Sequence, residues 1–104
     1  MENVTIEEIL HIEYLQIKKA ALILRAINHP LRQQIMRLLD QNKRMTVTNL
    51  YIELRLEQSV ASQHLAILRK AGFVTTKRDG KFINYSVNHQ RLDQVHTISG
   101  QLIS

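Results

Sequence analysis

Cysteine is absent from the 104 residues of this chain. That excludes disulfides, thiolate metal centres, thiol redox sensing and cysteine nucleophiles. Proline occurs once and glycine three times, so little interrupts regular structure. Long apolar runs are missing as well. The richest, "AALILRAI", is short and broken by Arg25, far from the ~20 residues that span a bilayer. The first residues, "MENVTIEEIL", are acidic where a secretory leader would be basic. A soluble, cytoplasmic protein without membrane contact is expected. No Ser/His/Asp set, paired-carboxylate cleft or phosphate-binding glycine loop can be assembled, so no enzymatic activity and no cofactor are expected either.

What is present is ordinary in composition and uneven in charge. Hydrophobic residues make up 44% and charged residues 22%, as in globular proteins generally. The length suits a single domain over 1–104 with a modest core, which burial against a second copy would help. Formal net charge is +5. Residues 29–87 hold ten bases and four acids, whereas 1–28 carry four acids and three bases and 88–104 one of each. A basic block inside a folded region suggests a polyanionic partner, most often nucleic acid.

Helical signals dominate. From Thr5 to Ile27 no proline or glycine intervenes, and apolar residues wrap much of the circumference. Such a helix is expected to bury one side in its own core and another against a partner. In "NHPLRQQIMRLLDQN", Pro30 suits a first helical turn, and Leu31, Ile35, Leu38 and Leu39 recur at helical spacing. "QNKRM" reads as a polar connection, and Thr46 as the N-cap of a short third helix. In "LEQSVASQHLAILRKAG", Ala61, His64, Leu65 and Leu68 project to one side, and His64 is expected to be a structural, hydrogen-bonded histidine. Ser59, Gln63, Ala66 and Lys70 project to the other, with Ser62 on the flank. Gly72 suits the left-handed position after the helix.

Asp79-Gly80 signals a hairpin, which as a two-residue turn pairs Arg78 with Lys81, Thr76 with Ile83 and Val74 with Tyr85. Asn88 can cap a last helix with Leu92, Val95, Ile98 and Leu102 along one stripe. The expected fold is therefore mostly α with a small β-hairpin: a winged helix-turn-helix of five helices plus a two-stranded wing. The helix-turn-helix spans 46–72 and the wing 73–87, and dimerisation helices flank them at 1–28 and 88–104. A helix entering the major groove needs an outer face small enough to approach base edges, and serine and glutamine supply donors and acceptors without bulk. Lysines and arginines beside it would meet phosphates.

These residues resemble the ArsR-type (ArsR/SmtB) winged-helix transcriptional repressors. "AINHPLRQQIMRLL" is similar to the family's second helix, "TVTNL" to the start of its third, "QSVASQHLAILRKAGFV" to its recognition helix and "KRDGKFINYSV" to its wing. The resemblance implies a homodimer on a pseudo-palindromic operator in double-stranded DNA. It implies that Gln58, Ser59, Ser62 and Gln63 approach the bases, with Lys77, Arg78 and Lys81 of the wing nearby. Arg69 and Lys70 either contact phosphate or complement the carbonyl end of their helix. The implied dimer contacts are Ile6, Ile9, Leu10, Tyr14 and Leu15 on the first helix and Leu92, Val95 and Ile98 on the last.

Two departures stand out. Arg55 stands where relatives often have glycine, and Glu57 where serine or threonine would cap the recognition helix. They support the alternative function, a protein-interaction module with vestigial DNA binding. Metal sensing is a separate matter. The family's paired-cysteine positions read Thr46 and Thr48, which cannot replace soft thiolates. His89, Asp93 and His96 share one helical face and could offer nitrogen and oxygen ligands. The family's second ligand pair is missing near "QLIS", so a solvated polar face is the expected role and no metal is expected.

Overall fold

The computed structural model describes residues 5–103, and the side chains of all of these except 9, 11–13 and 98–103. Helix α1 (Ile6–Ile27) starts at Thr5, whose hydroxyl accepts from the Glu8 N–H at 3.2 Å. Glu7 and Glu8 add negative charge to its first turn, where the helix dipole favours it. Helix α2 (Pro30–Asn42) has Pro30 in its first turn, as expected. His29 is its N-cap, with Nδ1 accepting from the Leu31 N–H at 3.2 Å. Thr46 caps α3 (Val47–Leu54) through the Asn49 N–H at 3.2 Å, again as expected.

Helix α4 (Gln58–Lys70) ends in a Schellman turn. Phe73 N–H bonds to Leu68 O at 2.9 Å and Gly72 N–H to Arg69 O at 3.0 Å, with Gly72 at φ +84°. Leu68 and Phe73, which flank that turn, are both fully buried. Asn88 then caps α5 (His89–Ile103), its Oδ1 accepting from the Arg91 N–H at 3.4 Å.

The sheet departs from expectation in two ways. Strand β2 (Val74–Asp79) pairs with β3 (Phe82–Val87) so that Asp79 faces Phe82, Thr76 faces Tyr85 and Val74 faces Val87. The two turn residues are thus Gly80 and Lys81, not Asp79 and Gly80. Only Gly80 has positive φ, +61°, which fits a turn wanting glycine at its first central position. The pairing differs from the expected one by two residues, so the alternation of faces survives. The polar connection also contains a strand, β1 (Met45–Thr46), pairing Met45 with Tyr85 and Thr46 with Asn84. The wing is therefore one side of a three-stranded antiparallel sheet ordered β1-β3-β2.

Ile35, Leu39, Leu50, Leu65, Leu68 and Phe73 form the fully buried centre, joined by Ile23 and Ala26 of α1. The inner side of α4 (Ala61, Leu65, Leu68) is buried as its spacing implied. Arg32, unremarked in the sequence, is buried to 9% exposure. Its guanidinium donates to the carbonyl oxygens of Ala26 and, at 3.3 Å, Arg25. These bonds tie α2 to the carbonyl end of α1 and offset the desolvation of the charge.

The connection between α3 and α4 turns at Arg55, which is left-handed at φ 55°, ψ 43°. Glu57 follows as N-cap of α4 without a side-chain capping bond. A β-carbon in the left-handed region costs ~1 kcal/mol relative to glycine, and a missing cap costs about as much. Arg55→Gly and Glu57→Ser are each expected to stabilise the fold by ~1 kcal/mol in urea melts at fixed protein concentration. An unchanged midpoint for Arg55→Gly would show that the strain is relieved elsewhere.

Candidate nucleic-acid interface

With its inner side anchored, α4 presents Gln58, Ser59, Ser62 and Gln63 to solvent, together with Ala66. No hydrogen bond among the described residues engages these four polar side chains. Their donors and acceptors are therefore free for a partner. Arg69 and Lys70 are exposed in the last turn of the same helix. Both positions sit beside the carbonyl end of α4, where a cation is favourable with or without DNA.

The wing carries the second group. Lys77, Arg78 and Lys81 are exposed. Arg78 Nε donates to Gly80 O at 3.2 Å, which folds that side chain against the turn. Lys81 Nζ lies 5.7 Å from the centroid of the exposed Phe82 ring, within cation–π range. Arg44, missed in the sequence, joins them: it shares a cleft of about 300 Å³ with Lys77, Arg78 and Asp79. The signal that could have found it is β1, because a strand on the far side of β3 carries its neighbours onto the sheet. Two residues are too short to show a period of two.

Behind α4 lies a polar junction. His64 is half-buried, and Arg32 Nη1 donates to its Nδ1 at 3.4 Å. A guanidinium has no acceptor, so this bond exists only while Nδ1 of His64 is unprotonated. The His29 ring stands 4.9 Å from that of His64, tilted by 57°. Burial, with His29 and Arg32 adding positive charge nearby, holds the His64 pKa below its ordinary value of 6.5. The expected structural histidine is thus found, and its partner is a buried arginine.

The remaining sequence candidates fall elsewhere. His89 Nε2 lies 3.4 Å from Asp40 of α2. Asp93 and His96 are exposed on α5, and among the described residues no three potential ligands gather into a metal-holding group. On α1, Ile6, Leu10, Tyr14 and Leu15 are exposed at 71%, 56%, 61% and 49%. Leu92 and Val95 instead pack, half-buried, against the chain's own core. The side chains of Ile9 and Ile98 lie outside the described residues. Among the described residues no helix is long and apolar enough to cross a membrane.

The arrangement has relatives. The profile of the bacterial regulatory protein, ArsR family, matches residues 29–76. The chain is 34% identical over 85 residues to the uncharacterized HTH-type transcriptional regulator MJ1325 of Methanocaldococcus jannaschii, covering 82% of this chain and 96% of that one. It is 33% identical over 84 residues to the transcriptional repressor PagR of Bacillus anthracis, covering 81% and 84%. The homodimeric winged helix-turn-helix DNA-binding domain of Mb0332 from Mycobacterium bovis superposes with a TM-score of 0.76. That likeness covers 98% of this chain and 90% of the other, and its 18% identity makes it evidence of the fold alone.

The depressed His64 pKa has a consequence for stability. The unfolded chain takes up a proton near pH 6.5 and the folded chain only at lower pH. The contribution is therefore complete above that value and is lost as pH falls through the lower folded value. The melting temperature is expected to drop between pH 7.5 and 5, and less so in His64→Gln, which keeps an acceptor for Arg32 without titrating. Parallel pH profiles for the two proteins would remove His64 from the explanation.

Proposed function

Because this chain belongs to the ArsR family of DNA-binding transcriptional regulators, we propose that it acts as a homodimeric repressor that occludes a promoter. In this reading the outer face of α4 enters the major groove. Ser59, Ser62 and Gln63 meet base edges there, with Gln58 at the helix start. Lys77, Arg78, Lys81 and Arg44, with Arg69 and Lys70, meet the phosphates. The observation that carries it is the one-sided anchoring of α4: Ala61, Leu65 and Leu68 are buried, and the polar residues opposite are exposed and uncommitted. Similar proteins are named both ways, PagR a transcriptional repressor and HlyU of Vibrio cholerae a transcriptional activator, so repression is proposed from the resemblance to the ArsR-type repressors and not from those names.

Dimerisation rests on α1. The radius of gyration is 17.2 Å, against ~13 Å for a compact chain of about this length. A longest extent of 57 Å accompanies it. The first half of α1 leaves apolar side chains open on what should be a buried helix, which favours a second copy over a monomer. A two-fold pair of α4 helices would then meet successive major grooves ~34 Å apart on a pseudo-palindromic site. The interaction-module alternative drew on Arg55 and Glu57. Neither residue covers the four exposed polar positions of α4, so repression is the reading kept.

Selection of bound sites from random DNA tests the proposal, with a two-half-site consensus as the expected outcome. Affinity for the selected site should fall steeply with salt, since several phosphates are neutralised per dimer. Ser62→Ala or Gln63→Ala should relax preference at one base position by about 1–3 kcal/mol, whereas Lys81→Ala should weaken all sequences alike. Retained specificity in both alanine variants would sink this orientation of α4. Separately, Leu10→Glu is expected to yield monomers by light scattering and to lose operator affinity. An undisturbed dimer mass would move the interface off α1.

A further inference from the structure

We propose that the cleft between α1, α4 and α5 is a small-molecule site for an amphiphile with an oxyanion head and an apolar body. The cleft has a volume of about 340 Å³, within the range of ligand pockets. Leu22, Ile23 and Ala26 of α1, Ile67 of α4 and Ala71 just after it give it an apolar floor. Its other lining residues are Lys19, Lys70 and Arg91, three cations with no acid among them. A second cleft of about 440 Å³ continues from it, sharing Lys19, Ile23 and Arg91 and adding the polar Gln94 and Thr97 of α5. Three cations and no acid beside an apolar floor give the cleft a preference of charge as well as of polarity.

Arg91 is the sharpest feature. Its Nε is shielded from solvent and has no hydrogen-bond partner, alone among the described buried side-chain nitrogens and oxygens. The only contact at ion-pair distance among the described residues joins His89 to Asp40, so none of Lys19, Lys70 and Arg91 has a carboxylate partner among the described residues. The guanidinium is seated over Gly72, where an added β-carbon would stand 2.8 Å from Nε and 2.9 Å from Nη2. The guanidinium thus packs against the turn that ends α4. An unpaired buried donor is destabilising, and because Nε itself is closed to solvent, a carboxylate or phosphate oxygen in the cleft would meet the lining cations of Lys19, Lys70 and Arg91 as charge-assisted contacts and not Nε. The carbonyl end of α4 by itself repels an anion, so the three cations and not the helix set the sign of the ligand.

Ile67 and Lys70 belong to the last turns of α4 and Ala71 is its C-cap, so an occupant would press on the helix assigned to the major groove. That regulatory half rests on the DNA-binding reading; the binding half does not. Isothermal titration of the full chain with sodium decanoate, below its micelle concentration, tests both. Saturable binding of one decanoate per chain is expected, with decanol and butyrate each weaker by about tenfold or more. The Lys19→Gln/Arg91→Gln double variant should lose about tenfold in decanoate affinity yet bind the selected DNA as the unaltered chain does. Decanoate should shift operator affinity for the unaltered chain and not for the double variant.

Equal binding of decanol and decanoate overturns the proposal, as does unsaturable uptake. Dissociation of the dimer by decanoate, read by light scattering in the same samples, would assign the cleft to a second copy instead. Decanoate binding without any effect on operator affinity would remove the regulatory half. If no DNA site can be selected while decanoate still binds, the DNA reading fails and the cleft stands. Should the double variant not fold, the comparison of decanoate with decanol on the unaltered chain decides alone.

Discussion

At Gly72 the backbone turns left-handed, and three parts of the molecule take their positions from that turn. It closes α4 through the bonds of Gly72 and Phe73 to Arg69 and Leu68. It sends Phe73 into the core, fully buried, so that Val74 enters the sheet from a fixed point. It also receives α5: Asn88 N–H bonds to Phe73 O, and Asn88 Nδ2 to Gly72 O, each at 2.8 Å. One short segment thus sets where the helix stops, where the wing begins and where the last helix is capped. A side chain at 72 would be strained by φ +84° and would collide with Arg91. The left-handed backbone is what calls for glycine there, and the Arg91 head lies in the space its missing side chain leaves.

A second fastening acts midway along α4. Arg32 reaches from α2 to the final carbonyls of α1 and to His64, so one buried guanidinium touches three helices. Burying a charge is unfavourable unless its donors are met, and here carbonyl oxygens and a ring nitrogen meet them. The pattern explains why the outer face of α4 can be so plain. Orientation comes from apolar contacts and from Arg32 behind the helix, leaving the front free of structural duties. Small polar side chains there satisfy no internal need, which leaves their hydrogen-bonding capacity available to a partner.

Features written into consecutive residues were legible in the sequence. Pro30 in a first turn, Thr46 and Asn88 as caps, Gly72 as a terminator and the buried stripe of α4 depend on neighbours within a few positions. Features that depend on distant partners were not. The hairpin register slipped by two because Asp-Gly is a turn signal in itself, yet Gly-Lys satisfies a turn of different geometry, and both registers keep the same faces. Strand β1 is two residues long and exists because β3 lies beside it. Arg32 looked like any surface arginine of an amphipathic helix. Only the packing of α1 and α4 around it makes it buried. In the candidate site, the same division holds: the α4 face was readable from helical spacing, whereas Arg44 required the sheet.

Helix α1 belongs to two structures at once. Its last turns supply Ile23 and Ala26 to the core, while Ile6, Leu10, Tyr14 and Ile17 before them are left uncovered. A helix of 22 residues is ~33 Å long, so these two stretches cannot share one environment within a domain of this size. On the dimer reading, the exposed stretch is buried by the second copy, and α1 becomes a rigid strut between that interface and the chain's own core. The cleft of Lys19, Ile23, Ile67 and Arg91 lies where the strut meets α4. Anything that wedges those helices apart must tilt α1 relative to α4, and so change the spacing between the two recognition helices of the pair. On this proposal, a displacement of α4 at its C-terminal turn would be carried along the helix to the face that holds Ser62 and Gln63, since packed helices move as units. The coupling is then short, because the cleft, the proposed interface and the recognition surface all involve α1 or α4, with α5 adding Arg91.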